Sequence, residues 1–216
     1  MAAGSGTRME SEVPKQFLLL QGKPLLFYSL WAFYDYDPQI ELIVVLAMAE
    51  LPRWERLCEE YHIQIPHQTV IGGATRTESV KRGLALVKEE GLVAIHDGAR
   101  PLVDRGIIER CFTSAELHGS GIAAVKPKDS IRKVNGETNN ALDREQLRLV
   151  QTPQTFQVSL IKSAFAEYGG EASSDDATLL ENAGHAVHLV EGAYTNIKVT
   201  TPEDLDLANT LFTRRK

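Results

Sequence analysis

Apolar runs of strand length alternate along this chain with longer stretches in which aliphatic and charged residues share a helical period. Ile40 to Ala47 (IELIVVLA), Gly91 to His96 (GLVAIH) and Gly121 to Val125 (GIAAV) have the character of strands buried on both faces. Between them, Pro24 to Tyr34 is apolar and aromatic enough to pack on a sheet. Arg53 to Tyr61 and Glu78 to Glu90 carry charge on one face and aliphatics on the other. After Thr200-Thr201, the run Pro202-Glu203-Asp204 predicts the start of a last helix, since a threonine cap, a first-turn proline and two acids agree. Alternation of this kind predicts an α/β fold, a mostly parallel twisted sheet flanked by helices.

One stretch breaks the rhythm. Lys126 to Gln151 is polar and lacks a helical period, and it holds Asn135-Gly136 directly after Ile131-Arg132-Lys133-Val134. Asn-Gly favours a tight hairpin turn, so 126–151 is predicted to be a projecting β arm. A long arm on a small domain commonly meets another subunit. No repeat or low-complexity linker interrupts the remainder, and 1–216 is expected to be a single domain.

Composition narrows the class without changing it. At 216 residues and 43% hydrophobic content the chain is long enough for one substantial core. A net charge of -6 argues against sequence-independent nucleic-acid binding, which needs a basic face; any anion site must be local. Cys58 and Cys111 are too few for a disulfide framework and lack metal-ligand spacing, so two ordinary thiols in a reducing compartment are expected. The longest apolar run, Leu42 to Ala49, is under half of the ~20 residues a membrane helix needs. Ala2 to Gly6 lead straight into charge, unlike a signal peptide. A cytoplasmic location is the expectation.

Four loops could carry chemistry. In Ala2-Ala3-Gly4-Ser5-Gly6-Thr7-Arg8-Met9, followed by Pro14-Lys15-Gln16, small residues let backbone N–H groups approach phosphate oxygens, while Arg8 and Lys15 supply mobile positive charge. The loop is neither a Walker A sequence nor a dinucleotide fingerprint, since Met9 stands where a third glycine belongs. Gly-Ser-Gly alone could be a plain turn. In Gly72-Gly73-Ala74-Thr75-Arg76-Thr77-Glu78-Ser79-Val80, two glycines at a strand end admit a flat ligand and Ser79 could donate to it; the alternative is a tight turn with a helix cap. His96-Asp97-Gly98-Ala99-Arg100-Pro101 lies at the carboxyl end of a predicted strand, where Asp97 could hold Mg²⁺ or, alternatively, cap its own loop with Arg100. His96 is expected to be packed rather than a ligand. Asn196-Ile197-Lys198-Val199-Thr200 is predicted as a short strand whose lysine is either a site residue or a surface charge.

Together with Thr152-Pro153-Gln154-Thr155-Phe156 and Ser174-Asp175-Asp176-Ala177, these loops in this order resemble the 2-C-methyl-D-erythritol 4-phosphate cytidylyltransferases. The resemblance spans nearly the whole chain and implies a Rossmann-like nucleotidyltransferase fold, CTP and Mg²⁺ as cosubstrate and cofactor, pyrophosphate release, and a homodimer joined through the arm. It implies that Arg8, Lys15 and Lys198 are catalytic and that Ala2, Ala3, Gly4, Gly6, Gly73 and Ser79 contact CTP. Asp97, Arg100 and Ser174 fall where the family meets the alditol phosphate or its metal, while Ser130, Arg144 and Thr152 match arm residues that serve the partner's site. Ala74 stands where some members carry an acid, Ser130 and Ser174 where threonine is frequent, and Gly98 replaces an alanine. The family also has a central strand leading into the first loop, whereas this sequence begins at the loop. The sheet is therefore expected to lack its middle strand, with residues ahead of Met1 lost or a start placed too late.

The implied reaction makes demands that the residues meet. An alditol phosphate must approach a triphosphate, and each close pair of like charges repels by roughly 4 kcal/mol at ~4 Å in a medium of permittivity near ~20. Several cations are needed, and a phosphate nucleophile already ionised at neutral pH needs no general base. Two alternatives remain open: a sister cytidylyltransferase acting on ribitol 5-phosphate, and a catalytically silent nucleotide-binding subunit. A nicotinamide-dependent dehydrogenase is disfavoured by the missing third glycine and by Lys15.

Overall fold

A computed structural model describes residues 1–4, 13–88, 90–168 and 175–214. In chain order the elements are β1 (Leu19–Leu20), β2 (Lys23–Pro24), α1 (Leu25–Tyr36), β3 (Ile43–Leu46), α2 (Leu51–Glu60), β4 (Gln68–Ile71), α3 (Arg76–Leu84) and β5 (Leu92–Ile95). There follow α4 (Arg105–His118), β6 (Ser120–Val125), β7 (Ile131–Asn135), β8 (Thr138–Leu142), β9 (Leu149–Gln157), α5 (Val158–Glu167), α6 (Asp176–Asn182), β10 (Leu189–Glu191) and α7 (Pro202–Thr213). The predicted strands and helices are present with ends shifted by a few residues, except the short strand expected over 196–200, which is coil. The largest shift is in α3, which stops at Leu84 rather than running to Glu90, giving way to turns over Ala85 to Val87.

The main sheet is mixed, three of its four strands sharing one direction and β9 alone running against them. In the four-stranded order β10-β6-β9-β5, β10 runs parallel to β6, while β9 is antiparallel to both β6 and β5. β3 and β4 form a separate parallel pair. Helices cover both faces, and β6 shows why its sequence is apolar throughout. Ile122 joins a core with Val80, Leu84, Phe156, Ile161 and Leu180, whereas its neighbour Ala123 packs with Phe33, Ile107, Ile108 and Cys111 on the other side. Successive strand residues point to opposite faces, so a strand covered twice has no polar positions. Burying each large aliphatic or Phe156 side chain stabilises the fold by about 2 kcal/mol.

The helix ends follow local chemistry. Asp104 caps α4 by accepting from Ile107 N, and Gly119, at φ 88, ends it in the left-handed conformation that glycine adopts without strain. At α7, Thr201 caps the helix as the sequence predicts, and Asp204 completes a reciprocal capping box with it.

Between β3 and β5 the sheet is open. Ala2 forms a single parallel bridge with Leu46, its N–H donating to Val45 O, and Met1 O accepts from Gly98 N. The first two residues therefore occupy the carboxyl end of the gap. The rest is an apolar cavity of about 340 Å³ whose lining includes Val44 and Val45 on one side and Leu92 to Ile95 on the other. Among the described residues no strand joins β3 to β5. The Met1 ammonium donates to His96 O at 2.6 Å, and burial lowers its pKa to about 6 against the pull of Asp97.

Candidate active site

Three of the four loops meet at the carboxyl ends of β3, β4 and β5. Gln16, buried beside Lys15 in the short 3-10 helix Lys15–Phe17, donates through Nε2 to Ala2 O at 2.9 Å, which ties the lysine-bearing segment to the chain's first residues. Gly72 donates to Leu46 O, and a Cβ on it would lie 2.7 Å from Ala3 Cβ and 2.8 Å from Ser79 Oγ. Only glycine admits this approach, so the glycine pair sits directly against the start of the first loop. Gly4 is exposed, with nothing near the place a side chain would occupy. Arg8, Gly6 and Ser174 lie outside the described residues.

The second loop is both a turn and a helix cap. Thr75 accepts from Glu78 N, Glu78 Oε2 accepts from Ala74 N at 2.7 Å, and Gly73 N donates to Ser79 Oγ at 3.0 Å. Ser79 is buried, and its hydroxyl accepts from Gly73 N, shaping that turn.

The HDGARP loop forms the charged corner. Asp97 Oδ2 lies 2.7 Å from Lys198 Nζ and 3.8 Å from Arg100 Nε, and its side chain is 13% exposed. Asp97 pairs with Arg100, as one of the two sequence alternatives expects, and meets Lys198 as well. Burial by itself would raise the Asp97 carboxyl, but Lys198 first, then Arg76 and Arg100, hold it well below the usual carboxylate range. Arg100 Nη1 donates to Asn196 O at 2.7 Å. Lys198 lies in coil, not in the short strand predicted for Asn196 to Thr200. Among the described residues this segment pairs with no strand, and Val199 N, donating to Ala99 O at 2.8 Å, ties it to the Asp97 loop. At Gly98, a Cβ would lie 2.9 Å from Leu26 Cδ1, so an alanine there would need the Leu26 side chain to shift.

His96 is packed, as expected. It is buried, with Nδ1 3.0 Å from Thr152 Oγ1 and Nε2 3.2 Å from Arg100 O, and burial lowers its pKa to about 3. Thr152 lies in β9, 5% exposed, and its hydroxyl also accepts from Asp97 N at 3.1 Å. Ser130 and Arg144 do lie on an exposed arm, where β7 and β8 pair antiparallel across Asn135-Gly136. Arg144 Nη1 donates to Lys128 O at 2.6 Å, and Lys126 pairs with Glu145 at 2.8 Å.

Sequence reasoning passes over one pair. Arg76, in the first turn of α3, holds Asp176, in the first turn of α6, through two bonds of 2.7 and 2.6 Å; Asp176 is fully buried, and Gln154 Oε1 accepts from the N–H groups of Asp176 and Ala177. Burial pushes the Asp176 carboxyl up against the pull of Arg76. Both residues stand inside quoted motifs, but nothing in sequence spacing joins positions a hundred residues apart.

Glycine-lined loops beside a corner of cations around one carboxylate, at the carboxyl edge of an α/β sheet, define a nucleotidyltransferase. The comparisons agree. The profile of the family described as 2-C-methyl-D-erythritol 4-phosphate cytidylyltransferase matches residues 1–214. The enzyme so named from Bacteroides thetaiotaomicron is 43% identical over 212 residues, covering 98% of this chain and 97% of the relative, and that from Bacillus velezensis is 40% identical over 215 residues, covering 98% and 93%. Among solved structures, the Thermus thermophilus 2-C-methyl-D-erythritol 4-phosphate cytidylyltransferase superposes with a TM-score of 0.80 at 37% identity, covering 97% of this chain and 95% of that one. The Anaerococcus prevotii 4-diphosphocytidyl-2C-methyl-D-erythritol synthase gives 0.84 at 28% identity, covering 99% and 93%. The chain belongs to the 2-C-methyl-D-erythritol 4-phosphate cytidylyltransferase family.

Proposed function

We propose that the protein transfers CMP from CTP to 2-C-methyl-D-erythritol 4-phosphate, forming 4-diphosphocytidyl-2-C-methyl-D-erythritol and releasing pyrophosphate. The observation that carries this reading is the Asp97, Arg100 and Lys198 corner, set beside the Gly72-Gly73 turn in a chain of this family. A phosphate oxygen of the alditol attacks the α-phosphorus, and the bond from that phosphorus to the bridging oxygen breaks, leaving with pyrophosphate. Lys198 is placed to position both reacting phosphates once they draw it from Asp97, while Arg8 and Lys15 offset charge on the triphosphate. Ala2, Ala3, Gly4, Gly6 and Gly73 line CTP, with Ser79 acting on the Gly73 turn. Arg100 and Ser174 receive the alditol phosphate.

Asp97 fits Mg²⁺ in one particular way. Among the described residues no cluster of three or more His, Cys, Asp or Glu could hold a metal, so a single ionised carboxylate would share the ion with triphosphate oxygens. Bound there, the ion supplies charge neutralisation and alignment of the phosphates. We further read 1–216 as one domain whose arm joins a homodimer and brings Ser130 and Arg144 to the partner's site. The free thiols of Cys58 and Cys111 support a reducing, cytoplasmic setting, and among the described residues no helix is long and apolar enough to cross a membrane.

Purified protein given CTP, Mg²⁺ and the methylerythritol phosphate is expected to release pyrophosphate; release with ribitol 5-phosphate alone would overturn the substrate assignment. Chelation by EDTA should stop turnover. Mixing Arg8→Ala chains with Arg144→Ala chains should regain activity only if the arm works in trans, and a chain with 131–142 replaced by a short turn is expected to sediment as a monomer.

A further inference from the structure

The arm leaves the domain after β6 and returns into β9, and one side chain of the body fastens its outgoing limb in two ways. Tyr194 Oη donates to Lys126 O at 3.0 Å, and Lys128 Nζ stands 4.0 Å from the centre of the Tyr194 ring. That ring is 49% exposed, so core packing does not account for it; its polar end and one face are both taken up by the arm. The contacts continue outward. Lys128 O accepts from Arg144 Nη1 at 2.6 Å, and Lys126 Nζ meets Glu145 Oε2 at 2.8 Å, which ties the returning limb to the outgoing one. Ser130 lies two residues beyond Lys128. Arg144 and Ser130, the arm residues assigned to the partner's site, therefore both take their place from the segment that Tyr194 holds.

Tyr194 is itself fixed from beneath. Gln151, buried in β9, donates through Nε2 to Ala193 O at 2.8 Å, and Ala193 N donates to Gln151 Oε1 at 3.3 Å. Asn196 N donates back to Ala193 O at 3.0 Å and closes the turn. The same turn runs on to Asn196, whose carbonyl accepts from Arg100, and to Lys198 beside Asp97. It holds the arm on one side and leads into the charged corner on the other.

Small errors at this root are magnified, because a two-stranded ribbon has no core of its own to keep its angle. At about 3.3 Å per residue, the five residues of β7 carry the tip roughly 15 Å away, so a rotation of about 10° at the root displaces it by about 3 Å. That is the length of a hydrogen bond.

We propose that Tyr194 is a positioning residue that sets the angle of the arm and, through Lys128, places Arg144 and Ser130 for the alditol phosphate bound by a second copy of this chain. This rests on the reading of the arm as the dimer joint. Tyr194 acts only through the arm, so its loss should weaken the hold on the alditol phosphate and on the partner while leaving the grip on CTP intact.

Tyr194→Ala removes both contacts, Tyr194→Phe only the hydroxyl, and Lys128→Gln only the cation. In Tyr194→Ala, KM for the methylerythritol phosphate and the dimer dissociation constant are each expected to rise about 10-fold, with KM for CTP within about twofold of the parent. Tyr194→Phe and Lys128→Gln should each show a rise of about threefold. At low alditol phosphate, the specific activity of Tyr194→Ala should climb with protein concentration as dimers re-form, which a merely unstable fold would not do. Sedimentation velocity and circular dichroism are read on every variant. The proposal is overturned if Tyr194→Ala leaves KM for the alditol phosphate and dimer affinity unchanged, if both KM values rise alike, or if activity falls only in proportion to folded protein. The chain with 131–142 replaced by a short turn separates the two ideas. If that chain remains a fully active dimer, the reading of the arm fails; if it becomes monomeric while Tyr194→Ala matches the parent, only the role of Tyr194 fails.

Discussion

The corner around Asp97 and the arm around Gly136 are both polar, and they are built in opposite ways. At the corner, the Arg100 and Asp97 side chains are only 12% and 13% exposed, His96, Thr152 and Asn196 are buried, and each of the five has an internal bond or ion pair. On the arm, Arg132, Lys133, Glu137 and Arg144 stand in solvent, and the paired strands bury almost nothing. A two-stranded ribbon is at best marginally stable alone in water. The corner is preorganised by its own chain, whereas the arm finds little of that chain to pack against. Charges that must stabilise a transition state gain most where water is excluded and reorientation has already been paid for in folding. Exposed ion pairs such as Lys126 with Glu145 contribute little by comparison.

The sharpest test of this contrast is Lys198→Ala, expected to lower kcat by about 10²- to 10³-fold with the fold retained. Stopped-flow measurement of pyrophosphate release would show it, and an unchanged kcat would make the corner a structural ion-pair cluster. A smaller effect is expected in acid. His96 has its folded pKa depressed to about 3, so below the unfolded value near ~6.5 the unfolded chain takes up a proton that the native state refuses. Stability is thus lost as pH falls from about 6.5 toward 3, at about 1.4 kcal/mol per pH unit from this group. Asp97, also depressed, adds a loss in the same direction below about 4. Urea melts between pH 7 and pH 4 should show a shallower slope in His96→Gln; an equal slope would mean that another group governs the acid limb. The mildest change is Gly136→Ala on the arm, where φ is 60 and nothing lies within 4 Å of the added methyl group. It should cost about 1 kcal/mol or less and leave kcat unchanged. A large loss of activity there would show that the hairpin tip itself enters a site.

Part of this was legible in the order of residues. The α7 cap could be read at Thr201-Pro202-Glu203-Asp204 because capping is local, and the hairpin at Asn135-Gly136 because a turn needs only its own few residues. Strands β3, β5 and β6 announced themselves by unbroken apolar content. The site was legible as loops but not as contacts. Nothing in the order of residues shows that Ser79 accepts from Gly73 N, or that Thr152, carried by β9, accepts from Asp97 N. The antiparallel course of β9 was hidden too, because an apolar run does not carry the direction of its neighbour.

The sequence by itself determined the α/β class, the family, the hairpin and the set of loops able to hold a nucleotide, since all of these depend on local pattern and on motif order. Tertiary structure alone decided that Lys198 faces Asp97, that Arg76 clasps Asp176, and that Met1 and Ala2 bridge one end of an open gap between β3 and β5. Each of those joins residues about forty to a hundred positions apart, and the strength of such a contact depends on distance and burial, which only the packed sheet can set.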